Sequence, residues 1–209
     1  MKILKKILLI ALCLSLPSFA LPAVAAETQR VAKVGERAPD FALDALVRTG
    51  KGFEFKKLAL EEYHGKWVVL FFYPMDFSFV CPTEIKGFNQ EIGTFKKLDA
   101  VVLGISTDSK YSHLAWAQRG DLGVLQFPLL SDLKKEAAAE YGCLDEKEGV
   151  ALRALYIIDP DGVLQYQVVH NLDVGRSVDE TLRVLQALHT GALCPLNWKP
   201  GEKTIKKPK

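Results

Sequence analysis

One cysteine of this chain sits where a thiol can work as an anion. In Phe71-Phe72-Tyr73-Pro74-Met75-Asp76-Phe77-Ser78-Phe79-Val80-Cys81-Pro82-Thr83-Glu84 a continuous apolar run stops at a proline and resumes, after a short loop, as a capped helix. Two frames fit the helix start. Either Ser78 is the N-cap with Cys81 at the third helical position, or Cys81 is the cap with Pro82 first and Glu84 third. Both put the sulfur in the first turn, where unpaired backbone N–H groups and the positive end of the helix dipole favour a thiolate. Cys81 is therefore read as a nucleophile, against the alternative of a small buried hydrophobe. Arg153 is the best cation for such a site. It falls near the start of the apolar stretch 152–158, where a guanidinium without a function would be costly to bury.

The elements that must position these groups are legible in the periodicity. Residues 67–73 run without polar alternation, as a central strand covered on both faces does. Residues 82–97 carry Ile85, Phe88, Ile92 and Phe95 at spacings of three and four, the stripe of an amphipathic helix. Residues 101–105 read as the next buried strand, 113–118 as a second helix, 127–130 as extended and 133–141 as helical. Thr49-Gly50-Lys51-Gly52 closes an early hairpin, and Asp159-Pro160-Asp161-Gly162 joins 152–158 to 163–169 as a late one. Val178, Leu182, Leu185 and Leu188 mark the last helix. Strands alternating with helices and closing on a hairpin predict an α/β fold, a central mixed sheet flanked by helices.

The residues around Cys81 carry a resemblance. Pro74-x-x-x-Ser78-x-x-Cys81 resembles the Pro-x-x-x-Thr-x-x-Cys signature of the peroxiredoxins, and residues 79–84 are similar to the typical two-cysteine subgroup. Ser78 stands where that family has threonine; it keeps the hydroxyl that hydrogen-bonds the thiolate or the peroxide and loses a methyl. Arg153-Ala154-Leu155-Tyr156-Ile157-Ile158-Asp159 resembles the family's Arg-Gly-Leu-Phe-Ile-Ile-Asp, whose arginine flanks the active sulfur. The resemblance implies that Glu84 orients Arg153 and that Arg176 buttresses Glu84. Read alone, Glu84 is a helix-cap carboxylate and Arg176 a solvated arginine before a helix.

Cys194 lies 113 residues beyond Cys81 and opens Cys194-Pro195-Leu196-Asn197-Trp198-Lys199-Pro200-Gly201, which resembles the family's C-terminal Cys-Pro-x-x-Trp-Lys-Pro-Gly. In the family that cysteine belongs to the partner subunit. The resemblance thus implies a thioredoxin-like fold with peroxiredoxin additions and a head-to-tail homodimer, alone or in a decameric ring. It implies a thiol-dependent peroxidase for hydrogen peroxide and organic hydroperoxides that uses no metal, haem or flavin. A Cys81 sulfenic acid would condense with Cys194 of the partner subunit, and a thioredoxin-like thiol reductant would reopen the disulfide. Chaperone holdase or redox-relay activity is the other class open to such a chain. A thioredoxin-type oxidoreductase is disfavoured, because no Cys-x-x-Cys occurs.

Residues 1–25 read as a secretory signal peptide: Lys2, Lys5 and Lys6, an apolar stretch too short for a comfortable membrane span, then Ala23-Val24-Ala25. The expected organisation is a leader over 1–25, a domain over 26–193 and a tail over 194–209 that carries Cys194. Cleavage would remove three of 27 basic residues and none of 25 acidic ones, taking the net charge from +2 to −1. No basic field then remains for nucleic acid, and no stable membrane insertion is expected. Export to a bacterial periplasm is the expected location. Three cysteines remain after cleavage, and no histidine sits at metal-ligand spacing. Cys143 matches no family cysteine and is expected to be structural. Phe77, Phe79 and Trp116 are aromatic residues fit to line the pocket or meet the partner subunit, with core packing the expected role of each taken singly. Gly120-Asp121-Leu122-Gly123 resembles the Gly-Gly-Leu-Gly loop of peroxide-sensitive members with one residue changed, and the chain ends without their Tyr-Phe helix, so resistance to overoxidation is expected.

Overall fold

The computed structural model describes residues 31–206; the expected leader lies outside them. The elements run β1 (Ala42–Thr49), β2 (Gly52–Ala59), a 3-10 turn (Leu60–Tyr63), β3 (Trp67–Phe72), α1 (Cys81–Gln90), α2 (Ile92–Lys97), β4 (Ala100–Ser106), α3 (Lys110–Arg119), β5 (Leu129–Ser131), α4 (Glu136–Glu140), β6 (Leu144–Asp145), β7 (Val150–Ala151), β8 (Arg153–Ile158), β9 (Leu164–His170) and α5 (Val178–His189). Seven strands form one mixed sheet in the order β2-β1-β5-β4-β3-β8-β9, and β6 and β7 pair separately. β3 is parallel to β4 and β4 to β5, whereas β8 runs antiparallel beside β3 and carries β9 at the edge. This is the expected central sheet flanked by helices.

β3 divides its side chains between two cores, which is why its sequence shows no polar alternation. Val68, Leu70 and Phe72 face one layer, with Ala137 and Ala138 of α4. Val69, Phe71 and Tyr73 face the other, with Ile85 and Phe88 of α1, Phe95 of α2, Trp116 of α3 and Leu185 of α5. Ile85 and Phe88 have no exposed surface. Each such burial is worth about 1.5–3 kcal/mol, so α1, and Cys81 at its start, are firmly seated on the sheet. Gly104 in β4 is needed for this packing. A Cβ there would come within 3.0 Å of both the Phe71 ring and the Leu129 side chain.

Both expected hairpins form, and Gly162 closes the second with φ +83 and its N–H on the Asp159 carbonyl. Three expectations are corrected. The helix over 82–97 is two helices, because Glu91 at φ −95, ψ 6 leaves the helical path between α1 and α2. The helix over 133–141 shrinks to α4, which starts only after Lys135 takes a left-handed conformation (φ 64). Neither expected frame starts α1: Val80 is the cap, in helical conformation, and Cys81 is the first helical residue. Among the described residues no helix is long and apolar enough to cross a membrane.

Candidate active site

The Cys81 sulfur lies between the start of α1 and the start of β8. Val80 leads into the helix, and its carbonyl accepts the N–H groups of Thr83 (3.0 Å) and Glu84 (3.3 Å) and the Thr83 hydroxyl (2.6 Å). Pro82 has no N–H to offer. The first-turn donors expected to face the sulfur are thus largely spent on Val80, and a side chain supplies the donor instead. Arg153 Nη1 donates to Cys81 Sγ at 3.4 Å.

That guanidinium is held from two further sides. Its Nε donates to the Leu172 carbonyl at 2.5 Å, and Nη1 also donates to Glu84 Oε2 at 2.8 Å. Glu84 is gripped in turn by Arg176, whose backbone N–H and Nε donate to Oε1 at 2.8 Å each and whose Nη2 donates to Oε2 at 2.7 Å. Arg176 Nη1 donates to the carbonyls of Phe72 (2.6 Å) and Ala154 (2.5 Å), opposed residues of β3 and β8. Arg176 is therefore a buried clasp on the end of the two central strands, not a solvated arginine before α5. Burial raises the Glu84 carboxyl, but the hydrogen bonds and charge of Arg176 and then the charge of Arg153 outweigh it. The group lies below its ordinary range. Two buried guanidinium groups against one carboxylate leave one positive charge beside the sulfur.

Pro74 is buried directly after the last β3 rung, where Tyr73 N–H still reaches the Ile105 carbonyl at 2.9 Å. The Ser78 hydroxyl donates to the Met75 carbonyl at 2.9 Å and makes no bond to the sulfur. Trp116 is in the core as expected, but Phe77 (46%) and Phe79 (94%) are exposed, so the core expectation fails for both. Phe77 takes a left-handed backbone (φ 54) with its ring 5.9 Å from Trp116 and 5.7 Å from the Arg119 guanidinium. Its backbone conformation is strained for an aromatic residue.

One polar cluster escaped the sequence reading. His113 of α3, fully buried, faces Asp76 Oδ2 through Nδ1 at 2.8 Å and the Leu130 carbonyl through Nε2 at 3.1 Å. Asp76 also accepts from the Tyr73 hydroxyl at 2.9 Å, and its N–H donates to Asp108 Oδ2 at 2.8 Å. The signal was a histidine on the apolar face of a helix, three residues before Trp116. The cluster fastens the loop that precedes Cys81.

Cys194 stands elsewhere. It follows α5, partly exposed, with its sulfur 3.5 Å from the Thr190 hydroxyl and 3.8 Å from the Ala187 carbonyl. Cys81, Cys143 and Cys194 are all free thiols. Cys143 is buried, and burial pushes its thiol up to about 12.

A reduced thiol under a fixed guanidinium, with a carboxylate and a second arginine behind it, occurs in a chain that matches the AhpC/TSA family over residues 34–167. The chain belongs to this family and is a peroxiredoxin. It is 51% identical over 184 residues to the 2-cysteine peroxiredoxin of Chattonella marina var. antiqua, covering 83% of this chain and 92% of that protein. It is 49% identical over 193 residues to the chloroplastic 2-Cys peroxiredoxin BAS1 of Spinacia oleracea, covering 88% and 71%. Among solved structures, the reduced 2-Cys peroxiredoxin of Plasmodium vivax superposes with a TM-score of 0.77 at 40% identity, covering 83% of this chain and 92% of that one. The sheet described above is thus the thioredoxin-like fold of the peroxiredoxins, enzymes that reduce peroxides with a thiol.

Proposed function

We propose that this peroxiredoxin reduces hydrogen peroxide and organic hydroperoxides by a two-cysteine cycle. The Cys81 thiolate attacks one peroxide oxygen in line; the O–O bond breaks, the sulfur becomes a sulfenic acid, and the second oxygen leaves as an alcohol or water after taking a proton. The observation that carries this reading is the Arg153 Nη1 contact of 3.4 Å to Cys81 Sγ, with the same nitrogen on Glu84. A donor fixed beside the sulfur stabilises negative charge as it moves onto the departing oxygen. Glu84 and Arg176 orient Arg153. Pro74 shields the sulfur from water, and the Ser78 hydroxyl, whose proton rests on a nearby carbonyl, turns to hydrogen-bond the peroxide. Cys81 has no exposed surface, so substrate enters as residues 77–80, beyond the fastened Asp76, shift.

Cys194 of the partner subunit then displaces the sulfenic hydroxyl as water, giving an inter-chain disulfide. Pairing between chains is supported by the placement of Cys194, whose neighbours Ala187 and Thr190 follow from α5 and not from α1. A thioredoxin-like reductant restores both thiols. The homodimer, alone or in a decameric ring, is the assembly this chemistry requires. The leader pattern read over residues 1–25 supports export, with a bacterial periplasm as the compartment and an exported thiol protein as the matching reductant.

The test is a non-reducing gel of residues 26–209 after one equivalent of hydrogen peroxide, beside Cys81→Ser and Cys194→Ser. A covalent dimer in the wild type, absent from both variants, is expected. Peroxide consumption without any dimer band would replace the cycle with a one-cysteine enzyme served by an external thiol.

A further inference from the structure

The segment that carries Cys194 is closed on itself. Ile205 N–H donates to the Leu193 carbonyl at 2.8 Å, pinching residues 193–205 into a loop. Inside it Trp198 Nε1 donates to the Glu202 carbonyl at 3.1 Å, and the Glu202 side chain accepts the Lys199 N–H at 2.9 Å. Trp198 is 3% exposed. Such a loop moves as one body.

Arg183 joins this body to α5. Its Nε and Nη2 grip both oxygens of Glu180, one helical turn back, at 2.6 and 2.7 Å, and its Nη1 donates to the Trp198 carbonyl at 3.1 Å. Among the described residues it supplies the one charge-assisted hydrogen bond between α5 and the loop. The Cys194 sulfur adds weak contacts with Ala187 and Thr190. Glu180 fixes the plane of the guanidinium, so the third arm points at one carbonyl without searching.

We propose that Arg183 is a positioning residue for the resolving step: it holds the loop 193–205 against α5, and its release sets how fast Cys194 reaches a sulfenic acid. The proposal rests on the reading of Cys194 as the resolving cysteine. Two reactions compete for the sulfenic acid. The Cys194 thiol attacks its sulfur, forming S–S and releasing the hydroxyl as water with the thiol proton. Alternatively a second peroxide oxidises the sulfur to sulfinic acid and is itself reduced to an alcohol or water. Arg183 acts on the first reaction alone, because it touches neither Cys81 nor the groups around it. Removing it favours the disulfide.

The experiment is a titration of the reduced full-length protein with hydrogen peroxide, no reductant added, scored by intact mass for disulfide against Cys81 sulfinic acid. In Arg183→Met the disulfide-to-sulfinic ratio at fixed peroxide is expected to rise roughly three- to tenfold, the worth of one partly exposed hydrogen bond from a charged donor. The rate of the first oxidation of Cys81 is expected to stay at the wild-type value, a split that a general loss of structure would not give. Glu180→Gln, which keeps Arg183 but loosens its aim, is expected to move the ratio the same way by less, and it serves if Arg183→Met does not fold. A ratio unchanged within about twofold in both variants, or a fall in either, overturns the proposal. Absence of any disulfide in the wild type would overturn the resolving role of Cys194 itself, and that outcome is read before either variant is examined.

Discussion

Replacing Arg153 by methionine separates the chemistry of the site from its stability. Methionine fills much of the same volume without charge, and Glu84 keeps its three hydrogen bonds from Arg176, so no carboxylate is left bare. The fold loses the bonds to Glu84 and to the Leu172 carbonyl and is relieved of one desolvated charge. The net cost is expected to stay below about 3 kcal/mol, a fall in Tm of roughly 5–10 °C for a domain of this size. The sulfur, in contrast, loses the donor it faces at 3.4 Å. If that hydrogen bond strengthens as charge develops on the departing oxygen, its removal raises the barrier by about 1.5–3 kcal/mol, slowing Cys81 oxidation about 10- to 150-fold. Stopped-flow tryptophan fluorescence against peroxide concentration measures that rate directly. Arg153→Lys is expected to recover only part of it, since one ammonium cannot serve the sulfur, Glu84 and Leu172 as a planar fork does. A folded Arg153→Met protein within threefold of the wild-type rate would refute the role given to the guanidinium.

Two further outcomes follow from the buried charges and thiols. Glu84 has its carboxyl lowered from an ordinary value of 4.5, so its stabilising contribution is complete above that value and is lost as pH falls through the lower folded value. Urea unfolding of wild type and Glu84→Gln should therefore show a gap that is constant near neutral pH and narrows below about pH 4; a gap independent of pH would contradict the network. Burial holds the Cys143 thiol at about 12, so in the native protein at pH 8 iodoacetamide should label Cys194 while Cys143 reacts only after unfolding. Labelling of Cys143 at the rate of Cys194 would show that its cover opens freely.

Much of this was legible in the chain because it is local. The strand ending at Tyr73, the proline break, the helix that opens at Cys81 and the two hairpins each rest on residues within a dozen positions of one another. What failed was decided at a distance. The start of α1 is set by the Val80 carbonyl, which collects three donors once Val80 turns helical, and no cap residue announces that. Arg176 reads as solvated from its neighbours Gly175 and Ser177 alone, and only the resemblance pointed it at Glu84, where it stands. Only the folded sheet brings it the carbonyls of Phe72 and Ala154, from segments 104 and 22 residues away. The Asp76–His113 pair spans 37 residues and joins a loop to a helix whose own periodicity hides the histidine. Phe79 looked like core because it is aromatic, yet it stands 94% exposed two residues after the left-handed Phe77.

The fastening of Asp76 has a geometric consequence. With its carboxylate on His113 and Tyr73 and its N–H on Asp108, that residue is a fixed post, and Ile85, sealed into the core, is another. Cys81 hangs between them. Even with the first turn of α1 fully unwound, five residues from Asp76 reach at most about 17 Å and four from Ile85 about 14 Å. The sulfur can travel only within the overlap of those two spheres. Any second sulfur that is to bond with it must cover the remaining distance itself, so in the proposed two-cysteine cycle the reach of this short doubly anchored span limits how far from Cys81 the resolving thiol can stand.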